Sequence, residues 1–186
     1  KKIDSIATLA ITEGMMPGAQ ILVARKGKVI YNKTFGHHTQ NKIKTVSQTD
    51  VYDIASLTKI MATLPLIMQL VDKGVLTMDT TLSELLPQYK QTDKANITLR
   101  RMLTHTARLK SWIPYYVKTM DSLTNKPKTK WYKPNYSQEF PYKVAFKMFL
   151  KREYKDSIYR FIRESELRET QEYKYSDLPY YLLMKY

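Results

Sequence analysis

Ile54-Ala55-Ser56-Leu57-Thr58-Lys59 opens the longest helical pattern in the chain and carries its sharpest chemical signal. Ile60, Met61, Leu64, Ile67, Met68 and Val71 recur at helical spacing behind it. The pattern predicts a helix over 56–73 that Gly74 ends, with Pro65 bending it near its middle. Ser56 and Lys59 stand three residues apart, which puts them on one face of the first turn. A serine there sits in the positive field of the helix N-terminus, which favours charge developing on a nucleophilic oxygen. Lys59 has two roles open to it. It can take the hydroxyl proton if burial lowers its pKa, or stabilise a nearby basic oxygen as a cation. The bland alternative is a serine cap followed by a solvated lysine.

Upstream, Ile3, Ile6, Ala7 and Ala10 predict an amphipathic helix over 1–13, stopped by Gly14 and Pro17-Gly18. Ala19–Arg25 and Lys28–Phe35 read as two strands joined by a turn at Lys26-Gly27. Residues 36–49 read as a polar connection. Downstream, Leu82–Leu86 predicts a short helix, and Thr98 caps another that runs to Thr104. Residues 111–142 contain Pro114, Pro127, Pro134 and Pro141 among Trp and Tyr, and read as an irregular aromatic insertion. Its aromatics either line a cleft or anchor a long loop. Val144–Leu150 and Asp156–Ile162 are helix candidates, Glu172–Tyr175 an extended one, and Leu178–Tyr186 the start of a last helix.

The 186 residues carry 31 Lys and Arg against 17 Asp and Glu, a net charge of +14. The excess divides evenly, +7 in residues 1–109 and +7 in 110–186, so it forms a basic surface rather than a tail. Fifteen Tyr among many Lys raise the option of stacking on nucleic acid. No motif supports it, and no nucleic-acid partner is expected. No apolar run approaches the roughly eighteen residues of a membrane span. The absence of Cys excludes disulfides, a Cys nucleophile and a Cys-ligated metal. Three His give no zinc set, and no glycine-rich phosphate loop is present, so no metal or cofactor is expected. The chain starts at Lys1 with no signal segment visible, and the expectation is that an N-terminal segment has been removed.

Several motifs in one order resemble a known family. They are Pro17-Gly18, ILVARKGKVIYNKTFG (21–36), IASLTK (54–59), LVDKGVLTMDTTLSELLP (70–87), ITLRRMLTHTARL (97–109) and Tyr175-Ser176-Asp177. Together they resemble the serine β-lactamase-like family, which includes class C β-lactamases, DD-peptidases and related esterases. The resemblance implies an α/β fold of the α+β type, β-lactamase/transpeptidase-like, with an antiparallel sheet flanked by helices. It covers residues 1–109 and resumes at Tyr175. Residues 1–186 are then part of one such domain, with 111–142 inserted.

The resemblance also implies roles. Ser56 is the acylated nucleophile, Lys59 the motif lysine, and Tyr175 the residue that shuttles the proton to and from Ser56 and the leaving group. Asp177 stands where the family has Asn. An ionised Asp cannot donate a hydrogen bond, so it anchors Lys59 instead and repels an anionic substrate. His105 falls in the family's Leu-x-His-Thr-Ser-Gly segment as a supporting residue, with Ala107-Arg108 replacing Ser-Gly. The family's third motif, Lys or His followed by x-Gly on an edge strand, has no counterpart after Tyr175.

The implied function is hydrolysis of an ester or amide (β-lactam, peptidoglycan peptide or small ester) through a Ser56 acyl-enzyme, in the periplasm or cell envelope of a bacterium. The alternative is an inactive binding or accessory domain that keeps the fold. The remaining strands are expected from later residues of the same domain or from a second fragment of the same precursor. Turnover is not expected of residues 1–186 alone.

Overall fold

A computed structural model describes residues 2–186. They divide into two compact units, one ending at Ala55 and one starting at Ser56. Every strand pair in both units is antiparallel.

The first unit is a helix on a hairpin. Helix α1 (Lys2–Thr12) buries Ala7 and packs against the second strand. Strands β1 (Gly18–Arg25) and β2 (Lys28–Gly36) pair from Gly18↔Gly36 to Arg25↔Lys28, with a bulge after Val23. The connecting Lys26-Gly27 has φ of 51° and 74°. Positive φ at both residues matches the right-handed twist of the strands, and glycine takes it without strain. Asp4 of α1 pairs with Lys33 of β2 and accepts from the Tyr31 hydroxyl at 3.3 Å. The hairpin closes tightly at its open end. Gly36 has φ +64°, and a Cβ there would stand 2.3 Å from the Pro17 carbonyl oxygen. Among the described residues no third strand joins this hairpin.

The second unit is built on a helical core. Residues 57 and 58 begin a helix that widens into a π turn over Lys59–Thr63 and then runs as α2 (Leu64–Asp72). The helix expected over 56–73 is therefore present from 57 to 72, with a π turn that its sequence pattern does not announce. Pro65 lacks an N–H, yet it costs no interior hydrogen bond because it falls in the first turn of α2. The Leu64 N–H reaches back five residues to the Lys59 carbonyl. The register change at the π turn falls directly ahead of the proline.

Helix α3 (Leu82–Leu85) is closed by a capping box between Thr81 and Glu84. The Thr98 hydroxyl caps α4 (Leu99–Leu103) by accepting the Arg101 N–H at 3.3 Å. Residues 111–142 hold a 3-10 turn at Tyr115–Thr119 and the short strand β3 (Tyr132–Lys133), and are otherwise irregular. Val144–Leu150, expected as a helix, is instead the end of β4 (Tyr142–Ala145), a two-residue turn and β5 (Met148–Leu150). Its apolar positions alternate across a sheet in the order β3-β5-β4. Helix α5 (Arg152–Glu164) follows. Residues 172–175 form no strand, and α6 (Leu178–Lys185) ends the chain's last described element. Ile67, Leu82, Leu99, Met102, Leu109, Ile162, Leu178 and Leu182 make one buried core that joins α2 through α6. Burial of each such side chain contributes about 1.5–3 kcal/mol.

Candidate active site

The helix start and the segment entering α6 meet at Lys59. The Lys59 ammonium donates to Ser56 Oγ at 3.1 Å and pairs with Asp177 Oδ1 at 2.6 Å. It also lies 5.0 Å from the Tyr175 ring centroid and 5.6 Å from that of Tyr180. The first contact follows from i, i+3 geometry at a helix start. The others depend on α6, which packs against the π turn. Ser56 and Tyr175, 119 positions apart, are thus brought to one lysine.

The electrostatics are asymmetric. Burial pulls the Lys59 pKa down, but the Asp177 carboxylate, helped by Tyr175, outweighs it and the net shift is upward. That direction favours the second role open to Lys59, a cation that stabilises a nearby basic oxygen. Tyr175 moves the other way. The Lys59 ammonium, and then the Ser56 hydroxyl, lower its pKa below the usual phenol value. Tyr175 is the group whose basicity is brought towards neutral pH, and Lys59 is the charge that does it. Lys59 is 14% exposed and Asp177 37%, so the more accessible charge of the pair is negative.

His105 supports this arrangement from below. Helix α4 ends at Leu103, the Thr104 hydroxyl returns to the Arg100 carbonyl at 2.8 Å, and His105 turns the chain with φ 57°. Its carbonyl accepts the Lys174 N–H at 2.9 Å and its Nδ1 accepts the Ser176 N–H at 3.1 Å. Its ring lies 4.6 Å from the Tyr175 ring at a tilt of 36°. Burial, and then the Lys59 charge, lower the His105 pKa and keep the ring neutral. Arg108 takes φ 62° where the family's Gly falls, and the Arg168 N–H donates to its carbonyl at 2.7 Å.

Two contributors escape sequence reasoning. Ser176 is buried, donates its hydroxyl to the Lys110 carbonyl at 2.6 Å and accepts the Leu178 N–H at 3.2 Å. Tyr180 shares Lys59 and His105 with Tyr175, its ring 5.8 Å from the imidazole. Its position three residues after Asp177, one turn into α6, was the available signal. Among the described residues, no three His, Cys, Asp or Glu side chains converge as metal ligands.

Comparison with known proteins gives the following. A family model described as Beta-lactamase matches residues 3–185. Protein flp of Staphylococcus aureus strain MRSA252 is 34% identical over 129 residues, covering 68% of this chain and 25% of that protein. Esterase EstB of Burkholderia gladioli is 26% identical over 116 residues, 60% of this chain and 29% of that protein. The solved octameric penicillin-binding protein homologue from Pyrococcus abyssi shares the fold with a TM-score of 0.66 at 21% identity, over 98% of this chain and 37% of that one. The chain spans about a quarter of the length of Protein flp and under a third of EstB.

Proposed function

Because this chain belongs to the beta-lactamase family, we propose that it carries the nucleophile and proton relay of a serine hydrolase that cleaves an ester or amide through an acyl-enzyme on Ser56. The observation that carries this reading is the chain of contacts Ser56–Lys59–Asp177, at 3.1 and 2.6 Å, with Tyr175 acidified beside it.

In this mechanism the Tyr175 phenolate takes the Ser56 proton as Oγ attacks the carbonyl carbon. The Lys59 ammonium stabilises the phenolate, and Asp177 keeps the ammonium charged. The tetrahedral intermediate collapses when Tyr175 returns the proton to the leaving oxygen or nitrogen. A water, deprotonated by Tyr175, then attacks the acyl carbon, and Tyr175 passes that proton to Ser56 Oγ as the acyl bond breaks, releasing the acid. The Ser56 N–H supplies one oxyanion donor. The complete domain supplies the other from residues outside this segment, since one missing donor costs about 2.7–4 kcal/mol in the transition state. We accordingly assign turnover to the complete domain, and β-lactams, peptidoglycan peptides and small esters are its candidate substrates. A peptidoglycan substrate places it in the periplasm or cell envelope of a bacterium.

An accessory domain without turnover is the second reading. It draws on Asp177, whose carboxylate neutralises the Lys59 ammonium. A fluorescent acylating probe, applied to the complete native protein and followed by digestion and mass measurement, separates the two. An adduct on the Ser56 peptide, absent in Ser56→Ala, supports hydrolysis. An adduct elsewhere, or no adduct, overturns it.

A further inference from the structure

We propose that the β4–β5 hairpin and the lysines around it form a docking surface for an anionic lipid bilayer. Phe146 and Lys147 make the two-residue turn between paired Ala145 and Met148. Such turns ordinarily take Asn, Asp or Gly. Here the first turn residue is Phe146, 84% exposed, and Lys147 takes φ 49° with its ammonium 5.7 Å from the Phe146 ring. A bulky apolar ring adds nothing to turn geometry, and its exposure is unfavourable in water.

The sheet extends the same chemistry. Register sets Lys133, Phe149 and Lys143 opposite one another across the three strands, so their side chains share one face. Tyr136, 65% exposed, meets Phe149 edge-on at 6.3 Å. From Lys126 to Lys147 there are six lysines and a single acid, Glu139. Glu139 is engaged by Lys151 at 3.4 Å. All six lysines are exposed, and among the described residues none of them is in an ion pair.

Unneutralised lysines alone would suit any polyanion. An exposed phenyl ring at a turn tip, beside Lys147 and on the sheet that carries Lys133 and Lys143, also fits a low-dielectric layer behind an anionic surface. No helix among the described residues is long and apolar enough to cross a membrane; the proposed contact is one that this hairpin makes at the bilayer surface. Each lysine near such a surface strengthens binding by about fivefold, and burial of the Phe146 ring adds at least about tenfold.

Vesicle co-sedimentation tests this, with phosphatidylcholine alone and with a phosphatidylcholine–phosphatidylglycerol mixture. The protein should partition onto the mixed vesicles and not the neutral ones, and salt should weaken the binding. Phe146→Ser should weaken it about tenfold or more. The double variant Lys143→Ala/Lys147→Ala should do the same, with circular dichroism confirming that both variants stay folded. Absence of partition onto mixed vesicles overturns the proposal. So does partition that Phe146→Ser leaves unchanged; competition by soluble polyphosphate then identifies a polyanion patch instead.

Discussion

The Ser176 backbone N–H donates to His105 Nδ1 at 3.1 Å across 71 positions of sequence. His105 ties down the segment that delivers Tyr175 and Asp177 at two points, because its carbonyl also accepts the Lys174 N–H. An accepting Nδ1 has no proton, so the imidazole is neutral with its hydrogen on Nε2. Protonation at Nδ1 would turn acceptor against donor.

His105→Ala should cost about 1–3 kcal/mol, because it leaves the Ser176 N–H without its acceptor. Acid should act similarly. The His105 pKa is lowered in the folded state, first by burial and then by the Lys59 charge. Below about pH 6.5 the unfolded chain takes up a proton that the folded chain resists. This contribution to stability is intact above that pH and lost as the pH falls towards the lower folded value. His105→Gln keeps an acceptor without a titration. Thermal unfolding between pH 7.5 and 5.5 should show a smaller loss for Gln than for the parent; equal losses would assign the acid sensitivity elsewhere.

Lys59→Met should raise the Tyr175 pKa, since the Lys59 ammonium is the largest cause of its lowering. Fourteen other tyrosines titrate as background. The readout is therefore the 295 nm titration of the parent minus that of Tyr175→Phe, repeated in the Met background. The parent difference should show one phenol below the usual value of about 10, and the Met difference should move it upward. A difference curve indifferent to Lys59 would break the proposed relay.

Gly36→Ala should destabilise the first unit more than Gly27→Ala. Both positions have positive φ, which costs a non-glycine residue about 1–2 kcal/mol. At Gly27 an added methyl meets open space, whereas at Gly36 it meets the Pro17 carbonyl oxygen at 2.3 Å. Urea unfolding of the two variants should separate them, with the Gly36 loss the larger.

Leu182→Ala should cost about 2–5 kcal/mol, because Leu182 is fully buried in the shared helical core. Leu123→Ala, on the irregular segment and exposed to solvent, should stay within about 0.5 kcal/mol. Urea midpoints measure both, and comparable losses would contradict the placement of the core.

The hairpin at 18–36 was legible because strand composition and the Lys-Gly turn act within a few residues of one another. The Ser56–Lys59 pair was legible for the same reason, as i, i+3 spacing needs no tertiary information. Val144–Leu150 was misread because a seven-residue apolar run suits helix and strand alike, and partners outside the run decide it. The π turn was hidden because Pro65 signals a missing donor without saying whether the chain bends or changes register. The direction of the Lys59 shift depended on Asp177, whose nearness no local pattern reveals. Composition does not single out Tyr175, one of fifteen tyrosines; its nearness to Lys59 rests on tertiary packing that no local pattern shows.

The wide turn at Lys59–Thr63 makes the helix two segments in different phase. A π turn holds one residue more than an α turn, and each α residue advances the rotation by about 100°. Were the same residues to fold as one continuous α-helix, Ser56 would swing by about that angle relative to Ile67, which is anchored in the core. The aim of the nucleophile and the packing of the helix therefore answer to separate stretches of sequence. Core substitutions along α2 can drift without re-aiming Ser56, while a change that tightened the wide turn to α geometry at full length would turn Ser56 away from Tyr175 and leave the core intact.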